Sequence, residues 1–297
     1  MVSVGAALGM AVATLAVVVS PARAGPGTCQ AKNLSTGGVA NPDLQGVIDA
    51  ASPGDTVEVA GVCVGGFTIN KNLTVVGRAT YAVPQATLDG DGASTVLLVS
   101  SDAGTEVTLT NLTITGGYAT LGGGIFHYNG RLTLNGSSSV TANRGPVSGA
   151  GIVNYYGRLT LNDSSAVTAN QARYGGGIYN DEGKVTLNDS SSVSANRARE
   201  SGGGVFNTRG RVRLTGWSSV TANRARQSGG GGIYNSSRVL LRGSSSVTGN
   251  TAEGFGGGIY NFGTLTACDS TGVDEWTGTV SPNTPDDPPV VTSITCV

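Results

Sequence analysis

The sequence predicts an all-β fold in which parallel strands wind into a solenoid, a β-helix, with about 27 residues per coil. A glycine triplet, or Gly-Ala-Gly in one unit, is followed by a hydrophobic residue six times, and that residue falls at Ile125, Ile152, Ile178, Val205, Ile233 and Ile259. Two further short segments follow in each unit, such as RLTLN and SVTAN, and both alternate apolar with polar residues as half-buried strands do. Because one coil cannot bury its own apolar face, we expect coils stacked about 4.8 Å apart around a shared core.

The composition favours an ordered repeat over a disordered chain. Glycine provides 48 of the 297 residues and charged residues only 12%, but the glycines are periodic and β-branched residues are plentiful. The sequence contains no Ser/His/Asp arrangement, phosphate-binding loop or haem motif. With a single histidine and no CxxC spacing, we expect no metal site and no cofactor.

Residues 1–24 are predicted to be a signal peptide. The apolar run from Val4 to Val19 has the length of a secretory h-region, and Ala22-Arg23-Ala24 supplies a cleavage site before Gly25. The alternative, an uncleaved membrane anchor, would need a longer apolar run. We therefore expect a secreted or cell-surface protein with no integral membrane segment after cleavage.

Three regions are predicted to follow the signal peptide. Residues 25–121 form an N-terminal cap and irregular first coils, where Asn41 can cap a short helix with Pro42 at its first position. Such a helix would cover the apolar end of the first coil. Residues 122–267 are the regular repeats, and the Pro-rich residues 268–297 form a C-terminal cap.

The four cysteines favour an oxidising compartment. They allow three connectivities, but their position at the two ends of the chain favours Cys29–Cys63 and Cys268–Cys296.

Two rows of asparagine are predicted to be structural ladders. One row follows the third strand of each unit and contains Asn143, Asn170, Asn196, Asn223 and Asn250. The other follows the glycine triplets, begins with His127 and continues through Asn154, Asn180, Asn207, Asn235 and Asn261. Stacked Asn side chains can bond to the coils above and below, which would satisfy turn backbone that is otherwise buried unpaired.

Basic residues form a row at the start of the second strand of each unit. Residues 122–260 carry 13 Arg and one Lys against six acids, whereas both flanking regions are acidic. The row consists of Arg131, Arg158, Lys184, Arg211 and Arg238. Stacking like charges costs roughly 1 kcal/mol per pair in water. The row is either a solvated face or a linear binding strip for an acidic polysaccharide; no motif favours nucleic acid.

Two outward rows accompany the basic row. The aromatic row contains Phe126, Val153, Tyr179, Phe206, Tyr234 and Tyr260, of which Tyr179, Phe206 and Tyr234 are candidate sugar platforms; mutual stacking is the favoured alternative. The threonine row contains Thr141, Thr168, Thr221 and Thr248 and raises an ice-binding alternative. We expect that alternative to fail because Arg213 and Leu240 interrupt the companion row.

The segment LQGVIDAASPGDTVEVAGVCVGGFTINKNLTVVG resembles the N-terminal region of right-handed parallel β-helix proteins of the pectin-lyase-like superfamily. The repeats resemble those of polymorphic outer-membrane proteins, whose motifs are Gly-Gly-Ala-hydrophobic and Phe-x-x-Asn, although this chain has mostly Gly third and Val in the Phe position. The resemblance implies a right-handed, single-stranded β-helix. It also implies either a binding or adhesion module or, as the alternative, a polysaccharide lyase or glycoside hydrolase.

Acidic candidates for an enzyme are few. Asp163 and Asp189 occupy equivalent turns one coil apart, and Asp181 and Glu182 are adjacent. Ordinary turn acids explain both pairs, as they do the Asp89-Gly90-Asp91 turn, where calcium binding is the alternative. No catalytic residue is assigned, and the protein is predicted more readily to be a binding module than an enzyme.

Overall fold

A computed structural model describes residues 28–100, 102 and 104–268 of the chain. It confirms the predicted fold class, an all-β solenoid of about eight turns with roughly 27 residues per coil. The predicted signal peptide lies outside the described residues. So do residues 269–297 of the predicted C-terminal cap, including Cys296.

The described strands form four sheets, and consecutive coils contribute neighbouring strands. The first sheet carries the basic row and consists of Gln30–Asn33, Thr56–Ala60, Leu73–Arg78, Glu106–Thr110, Arg131–Asn135, Arg158–Leu161, Lys184–Leu187, Arg211–Leu214, Arg238–Arg242 and Thr264–Cys268. The second consists of Val62–Val64, Ala86–Asp89, Leu112–Thr115, Ser139–Thr141, Ala166–Thr168, Ser192–Ser194, Ser219–Thr221 and Ser246–Thr248.

The third sheet follows the glycine triplets, and the fourth covers only the later coils. The third consists of Phe67–Ile69, Leu97–Ser100, Ile125–Tyr128, Ile152–Tyr155, Ile178–Asp181, Val205–Thr208, Ile233–Asn235 and Ile259–Asn261. The fourth consists of Gln171–Tyr174, Arg197–Ser201, Arg224–Ala225 and Thr251–Ala252. All pairings between coils are parallel except that of Gln30–Asn33, which runs antiparallel to Thr56–Ala60.

Inward residues of the first three sheets form continuous apolar columns. Ile178 lies in register with Val205, and Val205 with Ile233. All three side chains are fully buried. The period-two alternation therefore places the apolar residues in one core and leaves the alternate residues on the outer faces.

A helix at Leu44–Ala50 packs on the first coil, with Leu44 and Ile48 buried. Its N-cap is Asp43, whose Oδ1 accepts a hydrogen bond from the Gly46 backbone N–H at 2.9 Å. The sequence-based choice of Asn41 as the cap is therefore wrong, because Asn41 instead accepts from the Asp43 N–H outside the helix. The disulfide Cys29–Cys63 is confirmed and joins the segment before the helix to the first coil.

The glycine triplets mark a tight corner of the coil, as residues 175–177 illustrate. Gly175 has a φ of +57°, which L side chains rarely adopt. A Cβ on Gly177 would lie 2.7 Å from the carbonyl oxygen of Gly204 in the next coil. The triplet thus combines a left-handed turn with close backbone contact between coils.

The threonine row lies on the second sheet, and its companion row differs from the prediction. Arg213 and Leu240 belong to the first sheet. The actual companions on the second sheet are Ser139, Ala166, Ser192, Ser219 and Ser246. Arg213 and Leu240 do interrupt a threonine column, as expected, but that column lies on the first sheet and not beside the threonine row of the second sheet.

Candidate functional site

The basic row is one continuous column on the outer face of the first sheet. Arg131, Arg158, Lys184, Arg211 and Arg238 are in register from strand to strand, and all five are exposed. Arg131 also pairs with Glu106 of the preceding coil, with 2.7 Å between Nη1 and Oε1. Within the described part of the chain, the other four make no ion pair.

The face becomes more basic toward the later coils. Thr133, Thr160 and Thr186 form the next outward column, and Arg213 then occupies the position that follows Thr186. Arg242 ends the following strand of the same sheet. Residues 201–252 contain seven Arg and no Asp or Glu, so this end of the face has no acidic neighbour of its own in the sequence.

Several basic residues elsewhere are paired with acids. On the fourth sheet Arg173 Nε lies 2.5 Å from Glu200 Oε1, and Arg224 Nη2 lies 2.8 Å from Glu253 Oε1. The pKa of Glu200 is lowered, first by a hydrogen bond from Tyr174 and also by Arg173. These pairs partly neutralise the fourth sheet, whereas the later coils of the first sheet lack such partners among the described residues.

The acidic candidates have structural partners. Arg209 donates to both carboxylate oxygens of Asp181, at 2.9 and 2.6 Å, and lies 3.4 Å from Glu182. Asp163 Oδ2 accepts from the Gly136 N–H, and Asp189 Oδ2 accepts from the Asp163 N–H. These contacts are those of turn residues that hold one coil to the next.

The remaining acidic candidates also lie in turns. Asp89 accepts the N–H of Asp91, as expected for a turn. Among the described residues, no group of three or more His, Cys, Asp or Glu side chains could hold a metal ion.

The aromatic row is half-buried and stacked on itself. Tyr179 and Phe206 are parallel with centroids 5.3 Å apart, and Phe206 and Tyr234 are parallel at 4.5 Å. Burial raises the pKa of Tyr179. Val153, in the same row, is fully buried. Because these ring faces contact one another, the geometry favours mutual stacking over a sugar platform.

The asparagine row from Asn143 to Asn250 is buried and bonded from coil to coil. Asn196 is typical: its Nδ2 donates to Asn223 Oδ1 at 3.0 Å and to the Val167 carbonyl at 2.9 Å. Its Oδ1 accepts from both the backbone N–H and Nδ2 of Asn170. Asn143, Asn170 and Asn223 repeat the donor arrangement.

The second asparagine row closes the corner between the third and first sheets. Asn180 Nδ2 donates to Asn207 Oδ1 at 2.7 Å and to the Gly183 carbonyl. The same bond between successive coils extends the ladder through Asn154, Asn180, Asn207, Asn235 and Asn261.

His127 begins this second row. Its Nδ1 lies 2.7 Å from Asn154 Oδ1, and since that oxygen is an acceptor, Nδ1 carries the proton. The His127 Nε2 is buried and has no hydrogen-bond partner. Burial lowers the pKa of the imidazole to about 4, so the ring is neutral at physiological pH.

A third polar ladder was missed by the sequence analysis. Asn162 Nδ2 donates to Asn135 Oδ1 at 2.9 Å, and Asn188 Nδ2 donates to Asn162 Oδ1 at 2.8 Å. Thr215 Oγ1 continues the row by donating to Asn188 Oδ1. The signal was the final residue of RLTLN and KVTLN, which the alternation pattern assigned simply to the end of a strand.

No family model, curated protein or solved structure matches this chain. Nor does any helix within the described residues have the length and apolar character needed to cross a membrane.

Proposed function

We propose that the protein is a secreted or cell-surface β-helix module that binds acidic polysaccharide along the basic row of its first sheet. One observation carries the proposal: Arg158, Lys184, Arg211 and Arg238 are exposed, in register and without an ion pair among the described residues. Strands in a sheet are about 4.8 Å apart, so the row presents a regular line of positive charge. A polymer with repeating negative groups would relieve its self-repulsion.

The disulfide and the coil architecture support the same proposal. Cys29–Cys63 favours an oxidising compartment, in keeping with export. We further propose a relationship to the pectin-lyase-like superfamily and to the repeats of polymorphic outer-membrane proteins. Its support is the placement of the Gly-Gly-x-hydrophobic motif at the same corner of successive coils. Adhesion to a glycan-bearing surface is the corresponding role.

A polysaccharide lyase or glycoside hydrolase is the alternative proposal. The ion pair of Arg209 with Asp181, and the turn contacts of Asp163 and Asp189, favour structural roles for the acids that it would use. We therefore assign it no catalytic residue. Unsaturated or reducing-end products from a panel of acidic polysaccharides would establish it.

Retention on an immobilised acidic polysaccharide tests the binding proposal. Changing Arg158, Lys184 and Arg211 together to Ser removes three adjacent charges from the row. We expect at least tenfold weaker binding at low salt and elution at lower salt, because fewer counterions are displaced. Arg131 is left unchanged because it already pairs with Glu106.

The matched control removes three charges from another face. Arg197, Arg199 and Arg226 are exposed and lack an ion pair among the described residues, and changing them to Ser alters the net charge equally. This control should bind far better than the first-sheet variant. Equal weakening by both variants would mean that net charge alone drives retention, and unchanged binding by the first-sheet variant would remove the proposal.

A further inference from the structure

Several residues that depart from the repeat lie close together where the later strands of the first sheet lead into the second sheet. Arg213 takes the position of Thr186 in the preceding coil. Trp217 takes that of Ser190, since the two backbone N–H groups bond to Asp189 and Asp163 one coil earlier. These departures from the repeat are not needed to continue the fold, because the preceding coils form without them.

A third departure lies directly beside them. Leu214 pairs with Leu241, so the next residue, Arg242, lies beside Thr215 and continues the column of the third polar ladder. The preceding coils have Asn162 and Asn188 in this column. Arg213, Trp217 and Arg242 therefore replace Thr, Ser and Asn at one spot on the surface.

Together these residues line a concavity of about 330 Å³, with Gly216, Gly243 and Ser244. Trp217 is 74% exposed, although indole is the largest apolar side chain. The equivalent residues of the other coils are serines. Arg242 Nε has no hydrogen-bond partner in the described structure. The concavity thus presents an uncovered aromatic ring beside two guanidinium groups.

The local charge is positive because the turn acids of earlier coils are absent here. Asp163 and Asp189 precede Gly216 and Gly243 in the same stacked column. The nearest acid, Asp189, points its Oδ2 toward the Asp163 N–H and so toward the N-terminal side. A ligand in the concavity would meet Arg213 and Arg242, with Asp189 one coil away on the N-terminal side.

We propose that this concavity is a subsite for a single sugar ring carrying a carboxylate or sulfate group. The indole face of Trp217 packs against the C–H face of the ring, and Arg213 and Arg242 bind the anionic group, to which guanidinium offers paired donors. The volume lies at the small end of the range for ligand sites, which suits one ring. This inference rests on the proposed function and locates its strongest contact.

The test uses variants that restore the residue of the preceding coil: Trp217→Ser, Arg213→Thr and Arg242→Thr. Each should fold normally, which melting curves check. We expect each to bind an acidic polysaccharide about tenfold more weakly, as removal of a Trp or Arg anchor does. Sulfated dextran and oligogalacturonate serve as probes for the two anionic groups, and weaker binding of either probe by these variants supports the subsite.

Tryptophan fluorescence provides a second readout. The chain has two tryptophans, Trp217 and Trp276. Ligand should change the emission of the unmodified chain and of the Trp276→Phe variant, which keeps Trp217. It should not change the emission of the Trp217→Ser variant. Neutral dextran should bind at least tenfold more weakly than the acidic probes, and equal binding would overturn the anionic assignment.

The outcomes separate this inference from the proposed function. If Trp217→Ser and Arg213→Thr bind the polymer as well as the unmodified chain does, while the Arg158/Lys184/Arg211 variant does not, the subsite is wrong and the basic row stands. If the unmodified chain binds neither acidic probe, both proposals fall.

Discussion

The buried asparagine row and the exposed basic row repeat with the same period, but the first raises the free energy of unfolding and the second lowers it. Asn170 and Asn196 are fully buried and bonded directly to each other. Arg158 and Lys184 are equally well stacked, yet they present like charges to solvent. The comparison shows that repeat spacing predicts which side chains become neighbours. Burial and partner chemistry decide whether being neighbours stabilises the fold.

The largest expected effect comes from breaking the buried row at its centre. Asn196→Leu keeps the branched shape of the side chain but removes the acceptor of the Asn170 backbone N–H and of its Nδ2. The Asn170 backbone N–H and one of the two Nδ2 hydrogens would be left unpaired while Nδ2 keeps its bond to the Val140 carbonyl, which should cost about 4 kcal/mol of unfolding free energy. Guanidinium denaturation measures the loss.

Asn162→Leu is the matched control, because its ladder is only half-buried and water can replace the lost bonds. We expect it to cost about 1 kcal/mol. Equal losses at the two positions would show that burial does not determine how much a ladder contributes to the free energy of unfolding.

A smaller effect is expected in the second asparagine row, because it begins with His127, a group that can acquire charge. The pKa of His127 is lowered from 6.5 to about 4, so protonation favours the unfolded chain. The contribution of neutral His127 to the unfolding free energy is complete above pH 6.5. It declines as the pH falls from 6.5 to 4 and levels off below that. The total loss should be about 3 kcal/mol.

His127→Asn restores the residue of the later coils and should remove this part of the pH dependence. Denaturation midpoints at pH 7.5 and pH 4 would be compared between the two chains, so that titrating carboxylates cancel. A drop of the same size in both chains would show that His127 is not the group responsible.

Much of the fold follows from the sequence because the coil length is nearly constant. Once Ile178 and Val205 are recognised as equivalent, the alternation rule assigns the inward and outward residues of each strand, and the asparagine and arginine columns follow. Sheet membership is harder. Arg213 and Thr221 lie eight positions apart, and only the corner between them shows that they face different directions.

The pairing of charges could not be read from the repeat. Arg209 reaches back to Asp181 across a coil, from a turn position with a φ of +55° that its equivalents share. The Trp217 concavity was also missed, although its residues are printed in the sequence. Arg213 and Arg242 lie in different coils, and the sequence analysis considered Arg213 only as an interruption of a threonine row and did not consider Arg242.

The smallest expected effect is a gain in unfolding free energy, and it comes from removing charges of the basic row. Changing Arg158, Lys184 and Arg211 to Ser removes every like-charged neighbour pair between Arg131 and Arg238. Exposed side chains splay and are hydrated, so we expect unfolding free energy to rise by only about 1 kcal/mol at 10 mM salt. At 1 M salt the Debye length is about 3 Å, and the gain should vanish.

Denaturation midpoints across this salt range, with the Arg197/Arg199/Arg226 variant as control, would measure the difference. A loss of stability in the first-sheet variant would mean that the row contributes packing to the coil. The binding and folding roles of that face would then no longer be separable. A small gain that disappears with salt, together with weaker polymer binding, would mark the row as a face kept charged at a cost to stability.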